Sequence, residues 1–135
     1  MAISGLIGKW KVISEENLDE IFQAFGVDDE MRSKAKEGLI QPIQEINIID
    51  DEYFIKTTIG HISTEVRFKL RVTFPSSSMD GKKIMVTYRK NGNALEEVQQ
   101  YGDHEALISR IVNGNELVST ITGKGKTAII RYTRV

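Results

Sequence analysis

From Pro42 to the C-terminus, turn-forming residues interrupt the chain at intervals of about seven to ten positions, the spacing of an antiparallel sandwich or barrel. The interruptions fall at Asp50-Asp51, Gly60, Pro75 to Gly81, Asn91-Gly92-Asn93, Gly102-Asp103, Asn113-Gly114-Asn115 and Gly123 to Gly125. Each uses residues that tolerate positive φ or pre-set a turn, and Asn-Gly between apolar runs is a strong hairpin signal. The clearest segment between turns sets Ile62, Thr64, Val66, Phe68 and Leu70 against Ser63, Glu65, Arg67, Lys69 and Arg71. One face is apolar and the other charged, so the strand is half buried. With the segment Leu6 to Ser14 added, turn counting predicts about ten strands in a meander.

A helical period occurs only between the first two of these strands. Leu18, Ile21, Phe22 and Phe25 fall at i, i+3, i+4 and i+7, with Asn17 placed as N-cap, Glu20 three residues on and Gly26 at the end. A second short helix is expected where Asp28, Asp29 and Glu30 crowd the first turn and Lys34 and Lys36 the last, an order that the helix dipole favours, with Gly38 as the stop. Arg32, Lys34 and Lys36 stand among acidic neighbours, too few to make the second helix a DNA-reading one.

Ten short strands with uncovered edges would invite edge-to-edge pairing, so closure into a barrel is the expected architecture. Eight strands already enclose only enough room for side chains or one small ligand, so a ten-stranded barrel should contain a cavity. Two short helices cannot cover a sheet, but they can cover an open barrel end as a lid. The expected fold is thus all-β, a ten-stranded antiparallel up-and-down barrel capped by a short helix-turn-helix, with residues 1–135 forming a single domain.

Composition narrows the function. Lys and Arg number 18 and Asp and Glu 19, a net charge of −1, which gives no basic field for nucleic acid. The absence of cysteine excludes disulfides, thiolate metal sites and a Cys nucleophile. No apolar run approaches the about 18 residues that span a bilayer, and the first ten residues do not form a signal peptide, so the cytoplasm is the expected compartment. The two histidines sit in no metal spacing or nucleophile setting, and Gly123-Lys124-Gly125-Lys126 lacks the Walker spacing and following helix. No enzyme, metal or cofactor is expected.

Along essentially its whole length the chain resembles the intracellular lipid-binding proteins, the fatty acid-binding and cellular retinoid-binding family of the calycins. The resemblance is carried by Gly8-Lys9-Trp10, Glu16-Asn17-Leu18-Asp19-Glu20, Phe68-Lys69-Leu70, Asp80-Gly81-Lys82-Lys83 and Val98-Gln99-Gln100-Tyr101-Gly102. Arg110 followed by Gly114-Asn115-Glu116-Leu117, and the closing Tyr132-Thr133-Arg134-Val135, continue it in the family's order and spacing. It implies a buried acyl or retinoid ligand whose carboxylate is met by two arginines and a tyrosine, the last two in an Arg-x-Tyr pattern. Arg110 matches the first arginine and Tyr132 the tyrosine. Where the pattern's arginine should stand there is Ile130, and Arg131 is one position off. A one-residue shift in a strand changes the face. Either a bulge turns Arg131 inward or Arg110 and Tyr132 hold the anion alone. The second is expected, since Ala128, Ile130 and Tyr132 share a face.

Arg110 also stands out by itself, as a permanent charge on a face with Ala106, Ile108 and Val112, where it needs a partner that a ligand carboxylate can supply. Alternation leaves its direction open, because Leu107, Ser109 and Ile111 make the opposite face equally apolar; the resemblance points it inward. Ser119 is a further candidate contact. The portal is expected at Phe25, Val27, Met31, His61, Ile62 and Met79, with His61 standing where many members carry an aromatic gate. Trp10 and Phe68 read as packing residues and His104 as a solvated turn residue.

The resulting expectation is a monomeric cytoplasmic carrier of one long-chain fatty acid or similar hydrophobic carboxylate, with transient membrane contact through the cap. The alternatives are a retinoid, bile acid or sterol-like ligand, or a membrane- or partner-docking module using Arg32, Lys34, Lys36, Lys124 and Lys126.

Overall fold

The computed structural model describes residues 5–24, 26, 28–36, 42–59, 62–77 and 82–135. The chain runs β1 (Gly8–Glu16), α1 (Leu18–Ala24), α2 (Asp29–Lys36), β2 (Ile43–Ile49), β3 (Glu52–Ile59), β4 (Ile62–Lys69) and β5 (Phe74–Ser77). It continues through β6 (Lys83–Asn91), β7 (Ala94–Gln100), β8 (Glu105–Asn113), β9 (Glu116–Gly123) and β10 (Lys126–Arg134). All ten strands belong to one antiparallel sheet in the order β4-β3-β2-β1-β10-β9-β8-β7-β6-β5. The meander and the helical hairpin after its first strand are as expected, but Pro75 to Ser77, read from the sequence as part of a turn, lie in β5, and the β4–β5 turn falls instead at Leu70 to Thr73, with Arg71 at φ 67°.

The turns explain the meander locally. Lys124 and Gly125 both have positive φ, 50° and 75°, the two-residue geometry whose twist matches that of the flanking strands. In β4 the side chains alternate as expected, with Phe68 buried and Glu65, Arg67 and Lys69 exposed.

The first and last strands are pinned together by one cluster. Trp10, fully buried, donates from Nε1 to the carbonyl of Leu6 at 2.9 Å. The Arg134 guanidinium lies 4.3 Å from the Trp10 ring centroid and donates from Nη1 to Ile7 O at 2.8 Å and from Nη2 to Gly5 O at 3.0 Å. Gly8 makes this possible, since its φ is 148° and a Cβ there would strike Arg134 Nη1. A bulge at Ile13 shifts the β1–β10 register between Val12 and Ser14, leaving Ile13 exposed.

Closure at the other side is not a hydrogen-bonded ladder among the described residues, because β4 and β5 are the two ends of the sheet. Aromatic rings bridge them instead. Phe68 of β4 stacks on Tyr88 of β6 with centroids 3.5 Å apart and on Tyr53 of β3 at 5.3 Å, and Phe74 of β5 lies 6.5 Å away. The Arg71 amide donates to the Tyr88 carbonyl at 2.7 Å across the same seam. Phe68 is therefore a packing residue with a specific task, to cover a gap in the ladder with apolar area.

The cap rests on the opposite side of the sheet from that seam. α1 packs against β10 and β9, burying Leu18 and Ile21. Asn17 precedes it at φ 60°, and its side-chain amide donates to Thr127 O of β10 at 3.4 Å, so the expected N-cap residue ties the helix to the barrel. Arg32 of α2 meets Asp19 at 3.0 Å and Asp29 at 2.8 Å, and Lys34 meets Glu30 at 3.3 Å. Among the described residues no helix is long and apolar enough to cross a membrane.

Candidate ligand-binding site

Strands β6, β7 and β8 bring one strongly polar group of side chains to the interior. Arg110 in β8 is only 5% exposed and stands opposite Leu95 of β7 and Ser119 of β9. Glu97 in β7 shares an inward face with Leu95 and Gln99, opposite Tyr88 of β6. Arg110 Nη1 lies 3.0 Å from Glu97 Oε1. Nη1 is held by this contact, whereas Nε of Arg110 has no hydrogen-bond partner. Glu97 is braced on its other oxygen, where Gln99 Nε2 donates to Oε2 at 2.5 Å and Tyr101 Oη in turn donates to Gln99 Oε1 at 2.9 Å.

These groups lie at a cavity of about 170 Å³ whose lining includes Tyr88, Glu97, Gln99, Ile108 and Arg110, with Val66 and Phe74 on the apolar side. A buried ion pair carries a desolvation penalty of several kcal/mol per charge, about balanced only when every donor and lone pair is used. Here the Nε donor is unused, and a buried donor without an acceptor costs about 1–3 kcal/mol. The guanidinium is thus poised for a further acceptor. A second buried orphan is Gln44 Oε1 on β2.

The electrostatics follow from burial and this one pair. Burial alone would lower the pKa of Arg110, but the Glu97 carboxylate and the Tyr88 and Tyr132 phenols more than offset it, so it stays above its ordinary value. Burial raises the Tyr88 phenol well above the ordinary range, Glu97 adding to the rise and Arg110 opposing it. Burial likewise raises Tyr132, against the lowering pull of Arg110.

Of the residues singled out in the sequence, Arg110, Ser119 and Tyr132 are all buried on the inner face of β8, β9 and β10. Ile130 joins them, opposite Ser119. Arg131 does not. Its side chain is 40% exposed and lies 3.8 Å from both Glu16 and Glu116, which corrects its inclusion among the anion-binding candidates. The physical reason is strand alternation: the bulge in this ladder is in β1, and β10 runs in unbroken register against β9, so nothing re-aims Arg131. Phe25, Val27, His61 and Met79 of the expected portal lie outside the described residues, and for Met31 and Ile62 the description stops at the backbone of α2 and β4. His104, expected as a solvated turn residue, is instead half-buried, stacked on Tyr101 with centroids 5.3 Å apart and 3.1 Å from Asp103.

Sequence reasoning missed Glu97 and Tyr88. The signal was partial, because Glu97 shares a face with Leu95 and Gln99 as Arg110 does with apolar residues, while Glu96 on the other face has Ala94 and Val98 beside it. A second charge on an inward face is the natural partner of the first.

The Lipocalin / cytosolic fatty-acid binding protein family matches residues 7–134, and the chain belongs to it. A fatty acid-binding protein of Tyrophagus putrescentiae is 33% identical, the match covering 96% of this chain and 97% of that protein. The cellular retinoic acid-binding protein 2 of Mus musculus is 30% identical over 94% and 96% of the two chains. Among solved structures, the REP1-NXSQ fatty acid transporter superposes with a TM-score of 0.89 at 32% identity, covering 97% of this chain and 96% of that one.

Proposed function

We propose that this protein is a cytoplasmic, monomeric carrier that takes one long-chain fatty acid, or a similar hydrophobic acid, into the barrel with its carboxyl end at Arg110. The observation that carries this reading is the Arg110 side chain, buried at a cavity with Nη1 against Glu97 and Nε without an acceptor. A carboxyl oxygen supplies the missing acceptor through charge-assisted hydrogen bonds. Tyr132 and Ser119 line the same inner face and orient that end, while the acyl chain runs along the apolar and aromatic side chains. The helical cap and adjoining turns form the way in, with Phe25, Val27, Met31, His61, Ile62 and Met79 as the portal. Close likeness to fatty acid-binding relatives supports the choice of ligand.

Arg32 and Lys34 of the cap are already engaged with Asp19, Asp29 and Glu30, which weighs against a chiefly surface-acting module. A retinoid acid remains the second reading, supported by the 30% identity to a retinoic acid-binding relative.

Native mass spectrometry of the protein as purified, then after delipidation and titration with a long-chain fatty acid, tests the proposal. One fatty acid bound per chain, exchanged one for one, is the expected result; a delipidated protein that takes up no fatty acid would overturn it. Arg110→Ala should weaken binding by about 1.5–3 kcal/mol, the scale of a hydrogen bond to a charged group. Unchanged affinity would place the carboxyl end elsewhere.

A further inference from the structure

Arg110 does not meet a ligand as a bare cation. Glu97 Oε1 is already 3.0 Å from its Nη1, both side chains are under 10% exposed, and the pair together is electrically neutral. A carboxylate entering this cavity would place a second negative charge beside the first around a single guanidinium. Two buried carboxylates sharing one site cannot both stay ionised at modest cost, so one takes a proton. The other titratable groups facing the Arg110–Glu97 pair among the described residues do not relieve this. Tyr88 from β6 and Tyr132 from β10 are neutral phenols, and Gln99 on β7 adds only an amide. Glu96, the next acidic residue on β7, is engaged with Arg89 at 2.7 Å and Asn91 at 3.2 Å.

We infer that Glu97 determines the head group this cavity accepts, selecting a polar end that both donates and accepts a hydrogen bond. A protonated carboxyl or a primary amide fits, because its carbonyl oxygen accepts from the free Arg110 Nε donor while its O–H or N–H donates to a Glu97 oxygen. An ionised carboxylate only accepts, and leaves Glu97 facing it as a like charge. The inference rests on the carrier reading and on the head group lying at Arg110. It makes Glu97 the residue that discriminates among hydrophobic ligands of equal chain length. Loading with an acid then draws one proton from solution, and loading with an amide draws none.

The test is calorimetric titration of delipidated wild-type protein with dodecanoic acid and with dodecanamide between about pH 6 and 8, in two buffers of different ionisation enthalpy. Acid affinity should fall by about tenfold per pH unit, the slope of one proton taken up per ligand, while amide affinity should stay level. In Glu97→Gln the acid's pH dependence should disappear and its affinity at the upper pH should rise at least about tenfold as the like charge is removed. Equal pH profiles for acid and amide in wild type, or a slope that survives in Glu97→Gln, would overturn the inference and leave the carrier reading standing. The wild-type comparison decides the matter even if the variant fails to fold. Binding of neither probe to either protein would sink the carrier reading itself, and the inference with it.

Discussion

Replacing Arg110 by leucine should destabilise the folded protein strongly, and replacing Glu97 as well should restore most of the loss. The two side chains are 6% and 9% exposed, and their charged atoms meet at 3.0 Å. Removing one partner of such a buried pair strands the other as an uncompensated charge, at a cost of about 3–5 kcal/mol. Replacing both with apolar residues of similar volume returns the interior to hydrocarbon, which is often neutral or stabilising by about 1–4 kcal/mol. The assay is equilibrium urea denaturation of the delipidated proteins at neutral pH. With a slope of about 2 kcal/mol/M, a loss of about 4 kcal/mol moves the midpoint of Arg110→Leu down by about 2 M. Arg110→Leu/Glu97→Leu should lie no more than about 0.5 M below wild type and up to about 2 M above it by the same conversion. A double variant as unstable as the single one would refute the reasoning, since the damage would then come from lost packing around the Arg110 stem and not from a stranded carboxylate.

Gly8→Ala should cost about 1–3 kcal/mol, because residue 8 has a φ of 148° and the new methyl meets the Arg134 guanidinium; thermal denaturation beside Arg134→Ala and the double variant would separate backbone strain from collision. In spectrophotometric titration, Tyr88 and Tyr132 should ionise above the ordinary phenol range, Tyr88 furthest, because burial disfavours their charged forms. Since both phenols hold their protons more tightly when folded, the stability they contribute is fully present below the unfolded phenol pKa of about 10 and is lost as pH rises through the folded values. Urea midpoints that do not fall in that alkaline range would contradict this. Arg131→Ala should change fatty-acid affinity less than about twofold and stability by less than about 0.5 kcal/mol, as expected of an exposed side chain with two loose ion pairs at 3.8 Å; a large loss of affinity would mean that Arg131 reaches the ligand after all.

The meander, the position of the helical hairpin and most turn sites were legible because each depends on neighbours in the chain; the turn at Leu70 to Thr73 has no Gly, Pro, Asn or Asp to mark it, and Pro75 to Ser77 form β5 instead of a turn. Lys124-Gly125 turns through its own backbone preferences, and β4 declares its buried face through residues two apart. Arg110, Tyr132 and Ile130 could be assigned to the interior because alternation, joined to a family pattern, decides a face. Alternation also contained the answer for Arg131, since β10 keeps one register along its whole pairing with β9. What the sequence could not state is which inward-facing groups meet. Glu97 and Arg110 lie on different strands, and their contact depends on the β7–β8 register, which places Glu97 opposite Ile108 and Arg110 opposite Leu95, and on side-chain reach across that diagonal. The open β4–β5 ladder is likewise a tertiary outcome: local pattern builds each strand, but only the closing of the whole sheet reveals which two edges are left for Phe68, Phe74 and Tyr88 to cover. Local periodicity thus determined the strands and their faces, whereas the charge state of the cavity was decided by contacts between strands that no periodicity encodes.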